Sequence, residues 1–129
     1  MTDLKNKSCK PCAPGTPPLP RDRAADFIQQ TPGWALNEAA TEISRSFKFK
    51  NYYETMAFVN ALAWVAHRED HHPDIEVGYN RCHVRFSTHS VKGLSENDFI
   101  GAAKLNALLS EYRRFLAIRT CQNTKPGLL

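Results

Sequence analysis

The stretch DIEVGYNRCHVRFSTH, residues 74–89, decides the fold. Ile75, Val77 and Tyr79 alternate with Asp74, Glu76 and Gly78, and Cys82, Val84, Phe86 and Thr88 alternate with Arg81, His83, Arg85, Ser87 and His89. A two-residue period belongs to a strand with one buried and one wet face. Two such runs separated by Gly78 to Arg81 predict a hairpin with its turn there. Upstream, Ile43, Arg45, Phe47 and Phe49 alternate with Glu42, Ser44, Ser46, Lys48 and Lys50, a further strand in which Arg45 intrudes on the apolar face. Trp34, just after Thr31-Pro32-Gly33, opens a fourth.

Helical signals fill the spaces between. Asn51 and Glu54 have the spacing of an N-cap and its capping-box partner. The run to His67 predicts a buried helix with Tyr52, Met56, Val59, Ala63 and Ala66 on its apolar face, stopped by Pro73. Ala24, Ala25, Phe27 and Ile28 predict a short helix before the strands. After Gly93, Ser95 and Asp98 repeat the capping spacing and open a last helix through Phe99, Ala102, Leu105, Leu109, Tyr112 and Leu116. The order αββαββα predicts an α+β fold, a four-stranded antiparallel sheet with its helices packed on one face.

With 129 residues, 42% hydrophobic and 23% charged, the chain has the balance of one globular domain. Its longest uncharged apolar stretch, Met56 to Ala66, is interrupted by Asn60 and falls short of the roughly 18 residues of a membrane span. MTDLKNKSCKPC leads into Pro and Gly rather than an apolar segment, so the expected location is cytoplasmic and the four cysteines are expected as free thiols. Five of the eight prolines fall within residues 1–20, where no apolar periodicity exists to bury. Residues 1–20 are therefore expected to be a flexible Pro-rich arm, and residues 21–129 the domain. Five cations against Asp3 and Asp22 stand before residue 24, so most of the net charge of +4 lies at the N-terminus and the body is nearly neutral. That balance argues against a nucleic-acid surface.

All five histidines lie between His67 and His89. Imidazole exchanges a proton near neutrality, so this concentration points to proton-transfer chemistry. His71 and His72 stand where the long helix gives way to Pro73, and His89 follows the last strand. A hairpin that returns the chain to its starting edge brings the three imidazoles to one pocket. His67, at a helix end, is also explained by the terminal carbonyls, His83 as a structural residue, and Asp98 as a helix cap.

These residues resemble a known family, the pterin-4a-carbinolamine dehydratases, also described as dimerisation cofactors of a homeodomain transcription factor. The resemblance rests on His67, His71-His72-Pro73, Tyr79, His89 and Asp98 at their joint spacing. It is supported by Pro32-Gly33-Trp34, Phe47-Lys48-Phe49-Lys50, Ser87-Thr88-His89 and Gly93-Leu94-Ser95, and covers about residues 21–117. It departs from the family at His67, where the family usually has an acidic residue. The resemblance implies a lyase that dehydrates 4a-hydroxytetrahydropterin to quinonoid dihydropterin, without metal or other cofactor, after an aromatic amino acid hydroxylase. It implies His71 and His89 in acid/base work, His72 on the pterin, Trp34 as an aromatic wall, and Asp70, Pro73, Ser87, Thr88 and Asp98 around the substrate. A homodimer or homotetramer is likewise implied.

Two rivals stand beside it. One is a protein-binding adaptor or transcriptional coactivator on the same fold. The other is a metal enzyme, since His67 and His71 are four apart on a helix; Arg68, however, occupies the place where a zincin carries Glu. Cys9 and Cys12 form a C-x-x-C whose other candidate partners, Cys82 and Cys121, are distant in sequence, and Pro11 and Pro14 argue against a redox helix start. Trp34 and Tyr79 also fit as core residues.

Overall fold

The computed structural model describes residues 3–123. Helix α1 (Arg21–Gln29) precedes strands β1 (Ala35–Leu36) and β2 (Ile43–Lys48). Helix α2 (Tyr52–Glu69), strands β3 (Asp74–Val77) and β4 (Arg81–Phe86), and helix α3 (Glu96–Asn123) follow. The sheet is antiparallel in the order β1-β2-β4-β3. Both the α+β class and the element order agree with the periodicities.

Burial follows the predicted alternation in the two central strands. Ile43 and Phe47 of β2, and Cys82, Val84 and Phe86 of β4, are all 2% exposed or less. Phe47 pairs directly with Cys82, so the buried faces are in register. Onto that face pack Phe58 and Leu62 of α2 and Phe99, Leu105 and Leu109 of α3. Each large side chain taken from water contributes about 1.5–3 kcal/mol. The aromatic rings interlock further, Phe47 with Phe58 at 4.8 Å and Phe27 with Phe99 at 5.2 Å between centroids.

Arg45 is accommodated on the apolar face by donating to the side-chain oxygen of Asn106 at 2.6 Å, with its guanidinium over the Phe47 ring. It lies close beside Gly33, where a Cβ would stand 2.8 Å from the guanidinium carbon and φ is +90°. The backbone conformation is what favours glycine there, since the guanidinium end of Arg45 can shift to admit a Cβ.

Two expectations are corrected. The buried stripe of α2 is Thr55, Phe58 and Leu62; Tyr52 and Ala63 are exposed. Both stripes have helical spacing, and only the position of the sheet selects between them. The reading of the first twenty residues as burying nothing fails at Leu4, which is 3% exposed in a single 3-10 turn and joins the core. One apolar residue has no period, so no periodicity argument detects it. Among the described residues no helix is long and apolar enough to cross a membrane.

Candidate active site

Asn51 caps α2 as its spacing predicts, accepting from Glu54 N–H at 2.9 Å, while Glu54 accepts from Lys50 N–H at 3.1 Å. The other end of α2 directs the candidate residues. Asp70 adopts the left-handed conformation, φ 51° and ψ 42°. The His71 N–H then bonds back to the Ala66 carbonyl, and the Asp70 N–H to that of His67. This double closure is a Schellman ending, built here on Asp rather than the usual Gly. The strain of a non-glycine residue in that region sits directly before His71.

The register of the hairpin brings the second half of the site to the same place. Asp74 pairs with Arg85, so β3 begins beside the end of β4. Three residues before Asp74 stands His71, and three after Arg85 stands Thr88. Their side chains meet on Asp98, at the start of α3. His71 Nε2 lies 2.6 Å from Asp98 Oδ1, while Thr88 Oγ1 and the Ser95 N–H donate to Oδ2 at 2.8 and 3.0 Å. Asp98 is 0% exposed and the His71 side chain 13%. A carboxylate can only accept, so His71 carries its proton on Nε2 and presents Nδ1 as the basic nitrogen. The imidazole also stacks on Phe86, 5.7 Å between centroids and 5° from parallel.

Phe86 is held in turn by Gly101 of α3, where a Cβ would stand 2.6 Å from the ring. Gly101→Ala is expected to lower the melting temperature. The overpacking costs about 1–3 kcal/mol, against about 1 kcal/mol that alanine gains in a helix. Thermal unfolding followed by circular dichroism measures the difference, and an unchanged or raised melting temperature would show that Phe86 yields freely.

Two open clefts share His71, beside a small cavity of about 10 Å³ behind the imidazole that Phe86, Gly101 and Leu105 line. One, of about 220 Å³, takes Asp70, His71, Thr88 and Ser90 into its lining, with Glu69 and Asn97. Its remaining lining is residues 9–12 of the N-terminal arm. The other, of about 340 Å³, is lined by His67, Asp70, His71, His72 and Pro73 with apolar residues of α2 and β3. Of the predicted residues, these clefts bring together Asp70, His71, His72, Pro73 and Thr88. His89 is exposed on a single 3-10 turn following Thr88, and Ser87 is exposed beside it. Trp34 lies elsewhere, in the core, its indole N–H donating to Asn106 at 2.9 Å and its ring against Phe47 and Phe86. Tyr79 is 66% exposed near the hairpin turn. His83, on the wet face of the sheet, bonds to Ser46 Oγ through Nδ1 at 2.7 Å.

No motif or period in the sequence marks Glu69, Ser90, Asn97 or the arm as lining the cleft. The only signal for Glu69 and Asn97 was adjacency to Asp70 and Asp98. Burial works to raise the Glu69 carboxyl, but the Cys9 N–H, Lys104 and Arg68 outweigh it and hold the group below its ordinary value. Glu69 thus favours the folded state above the ordinary carboxylate range, and this contribution is lost as pH falls through its depressed value. Burial pushes the Cys9 thiol up to about 12, which keeps it protonated at neutrality. Among the described residues, no three of His, Cys, Asp and Glu converge as a metal ion requires.

Comparison with known proteins places the chain in a group. A family model for pterin 4 alpha carbinolamine dehydratase matches residues 17–108. A protein of Nitrosomonas eutropha, named as a candidate pterin-4-alpha-carbinolamine dehydratase, is 58% identical over 110 residues, 84% of this chain and 96% of that one. A namesake from Stenotrophomonas maltophilia is 56% identical over 111 residues, 86% of this chain and 96% of its own. Among solved structures, the fold is similar to a transcriptional coactivator/pterin dehydratase from Brucella melitensis. That match has 34% identity and a TM-score of 0.67, over 70% of this chain and 97% of that one. A pterin dehydratase-like protein identified as a RuBisCO assembly factor in the alpha-carboxysome follows at 25% identity and a TM-score of 0.52, over 59% and 88%.

Proposed function

This chain belongs to the pterin 4 alpha carbinolamine dehydratase family, and from that membership we propose that it is a hydro-lyase converting 4a-hydroxytetrahydropterin to quinonoid dihydropterin and water by histidine acid/base catalysis. The observation that carries the catalytic part is the buried Asp98 carboxylate on His71 Nε2. It leaves Nδ1 of a partly exposed imidazole to take the proton that a ring nitrogen loses. The 4a-hydroxyl departs as water with a proton from a second imidazole, for which His89 is the candidate, while His72 polarises the ring. One proton is accepted and one delivered, and the bond broken is that between C4a and oxygen. General acid and base steps each contribute typically ~10²- to 10⁴-fold. Asp98 is a positioning residue in this scheme, since its contacts are with His71, Thr88 and Ser95.

The reading carries with it a homodimer or homotetramer and an aromatic amino acid hydroxylase as the source of substrate. An adaptor on the same fold has no use for the His71 and Asp98 pair, which favours the enzyme.

The direct test follows the loss of synthetic 4a-hydroxytetrahydropterin, with and without the protein, in the presence of a chelator. Acceleration that persists with chelator is expected. No acceleration favours the adaptor, and acceleration lost to chelator and restored by zinc favours a metal enzyme. In the same assay the rate is expected to rise and fall around neutrality, because one imidazole must be neutral while another is charged. A rate still climbing above pH 9 would exclude a histidine acid.

A further inference from the structure

The N-terminal arm crosses the candidate site and is tied down on either side of it. At one end Leu4 is buried in the core and Lys104 Nζ donates to the Lys5 carbonyl at 2.9 Å. At the other, Leu19 N–H donates to the Leu94 carbonyl at 2.8 Å, and Pro18 lies so near Gly93 that a Cβ there would stand 2.7 Å from it. Between these ends the arm is clamped by two side chains, each next in sequence to a residue of the site. Asn97, beside Asp98, pairs with Lys10 in both directions: it accepts from the Lys10 N–H at 3.0 Å and donates to the Lys10 carbonyl at 2.6 Å. Glu69, beside Asp70, accepts from the Cys9 N–H at 3.0 Å. Asn97 is 8% exposed and the Glu69 side chain 9%, so both clamps are sheltered from competing water.

The tethers hold residues 9–12 against the cleft that His71, Asp70 and Thr88 line. Cys9 also faces the apolar residues behind the imidazole, including Phe86 and Leu105. No ionised side chain of these four residues is bonded toward His71, so the segment supplies shape and backbone rather than proton transfer. We propose that residues 9–12 are a wall of the substrate cleft, clamped by Asn97 and Glu69, that sets how tightly a pterin is held and which ring substituent is admitted. This rests on the dehydratase reading for its substrate class and adds a binding element outside the family's matched residues, which begin at 17.

The test combines kinetics with thiol labelling of the full chain. Deleting residues 2–12 is expected to raise KM for 4a-hydroxytetrahydropterin about fivefold or more, the weight of one ordinary contact. Turnover is expected to change far less, a split that a loss of catalytic groups would not produce. Pro11→Trp, which leaves the clamps intact, is expected to discriminate more strongly against a pterin with a long ring substituent than against one with a methyl group. Independently of turnover, alkylation of Cys12 by iodoacetamide, mapped by mass spectrometry, is expected to slow in saturating 7,8-dihydropterin. The same protection is expected in His71→Ala, which need not turn over to bind. If the protein turns over but KM, discrimination and Cys12 labelling are all unaffected, the wall is overturned. If the deletion fails to fold, Pro11→Trp and the labelling decide the matter. Absence of both turnover and protection overturns the dehydratase reading beneath it, whereas protection without turnover removes only the catalytic claim.

Discussion

His71→Ala is expected to lower the dehydration rate by about 10²-fold or more, the usual worth of a positioned acid or base, while the protein stays folded. The side chain is 13% exposed at the rim of the clefts, and its removal leaves the sheet pairing of β3 and β4 intact. Comparison with His89→Ala separates the roles. His89 is exposed on its turn, so its loss is expected to cost at least about tenfold with little change in stability. Turnover at the wild-type rate in His71→Ala would remove the histidine mechanism, whatever the family membership.

Asp98→Asn is the more specific experiment, because it keeps the shape and changes one proton. On the Oδ2 side the Ser95 N–H and the Thr88 hydroxyl both donate, so the amide of asparagine settles with its oxygen there. Its NH₂ then faces His71 Nε2, which must accept, and the ring proton moves to Nδ1. The nitrogen presented to the substrate is no longer basic. The expected loss in kcat is about 10²- to 10⁴-fold, in the manner of a triad whose imidazole is locked in the wrong tautomer. Melting temperature should fall only slightly. Asp98→Ala, by contrast, leaves the donors of His71, Thr88 and Ser95 without their acceptor, at about 1–3 kcal/mol for each buried group unsatisfied. A stability loss without an activity loss in Asp98→Asn would make the carboxylate purely structural. The pairing of the two variants distinguishes a tautomer effect from a folding effect, and one-dimensional proton spectra of the imidazole N–H report the tautomer directly.

The central strands were legible because alternation in β2 and β4 is dictated by one face meeting the core: Ile43, Phe47, Cys82, Val84 and Phe86 all went where the period put them. The capping signal at Asn51 was legible for the same local reason, that a helix end needs acceptors for its first N–H groups; at Ser95 half of the predicted box forms, Asp98 accepting from the Ser95 N–H while the Ser95 hydroxyl turns to Thr88. The apolar face of α2 was not, since Met56 and Ala63 offer a helical stripe as readable as that of Phe58 and Leu62. Choosing between them needs the sheet.

The site divides along the same line. Sequence by itself determined the concentration of imidazoles, a helix break ahead of Pro73 and the joint spacing of His71, His72, His89 and Asp98, because these are matters of order along one chain. What only the tertiary structure decided is which of these residues act on one another. The left-handed turn at Asp70 and the β3 to β4 register bring His71 and Thr88 to one end of the sheet, and the start of α3 delivers Asp98 to both. It also decided that Trp34 serves the core, held by Asn106 beneath the sheet, and that Cys9 to Cys12 lie over the cleft. A hydrogen bond between residues 27 apart in sequence, or 87 apart as for Lys10 and Asn97, leaves no period to read. It exists only once burial of the apolar faces has folded the chain back on itself.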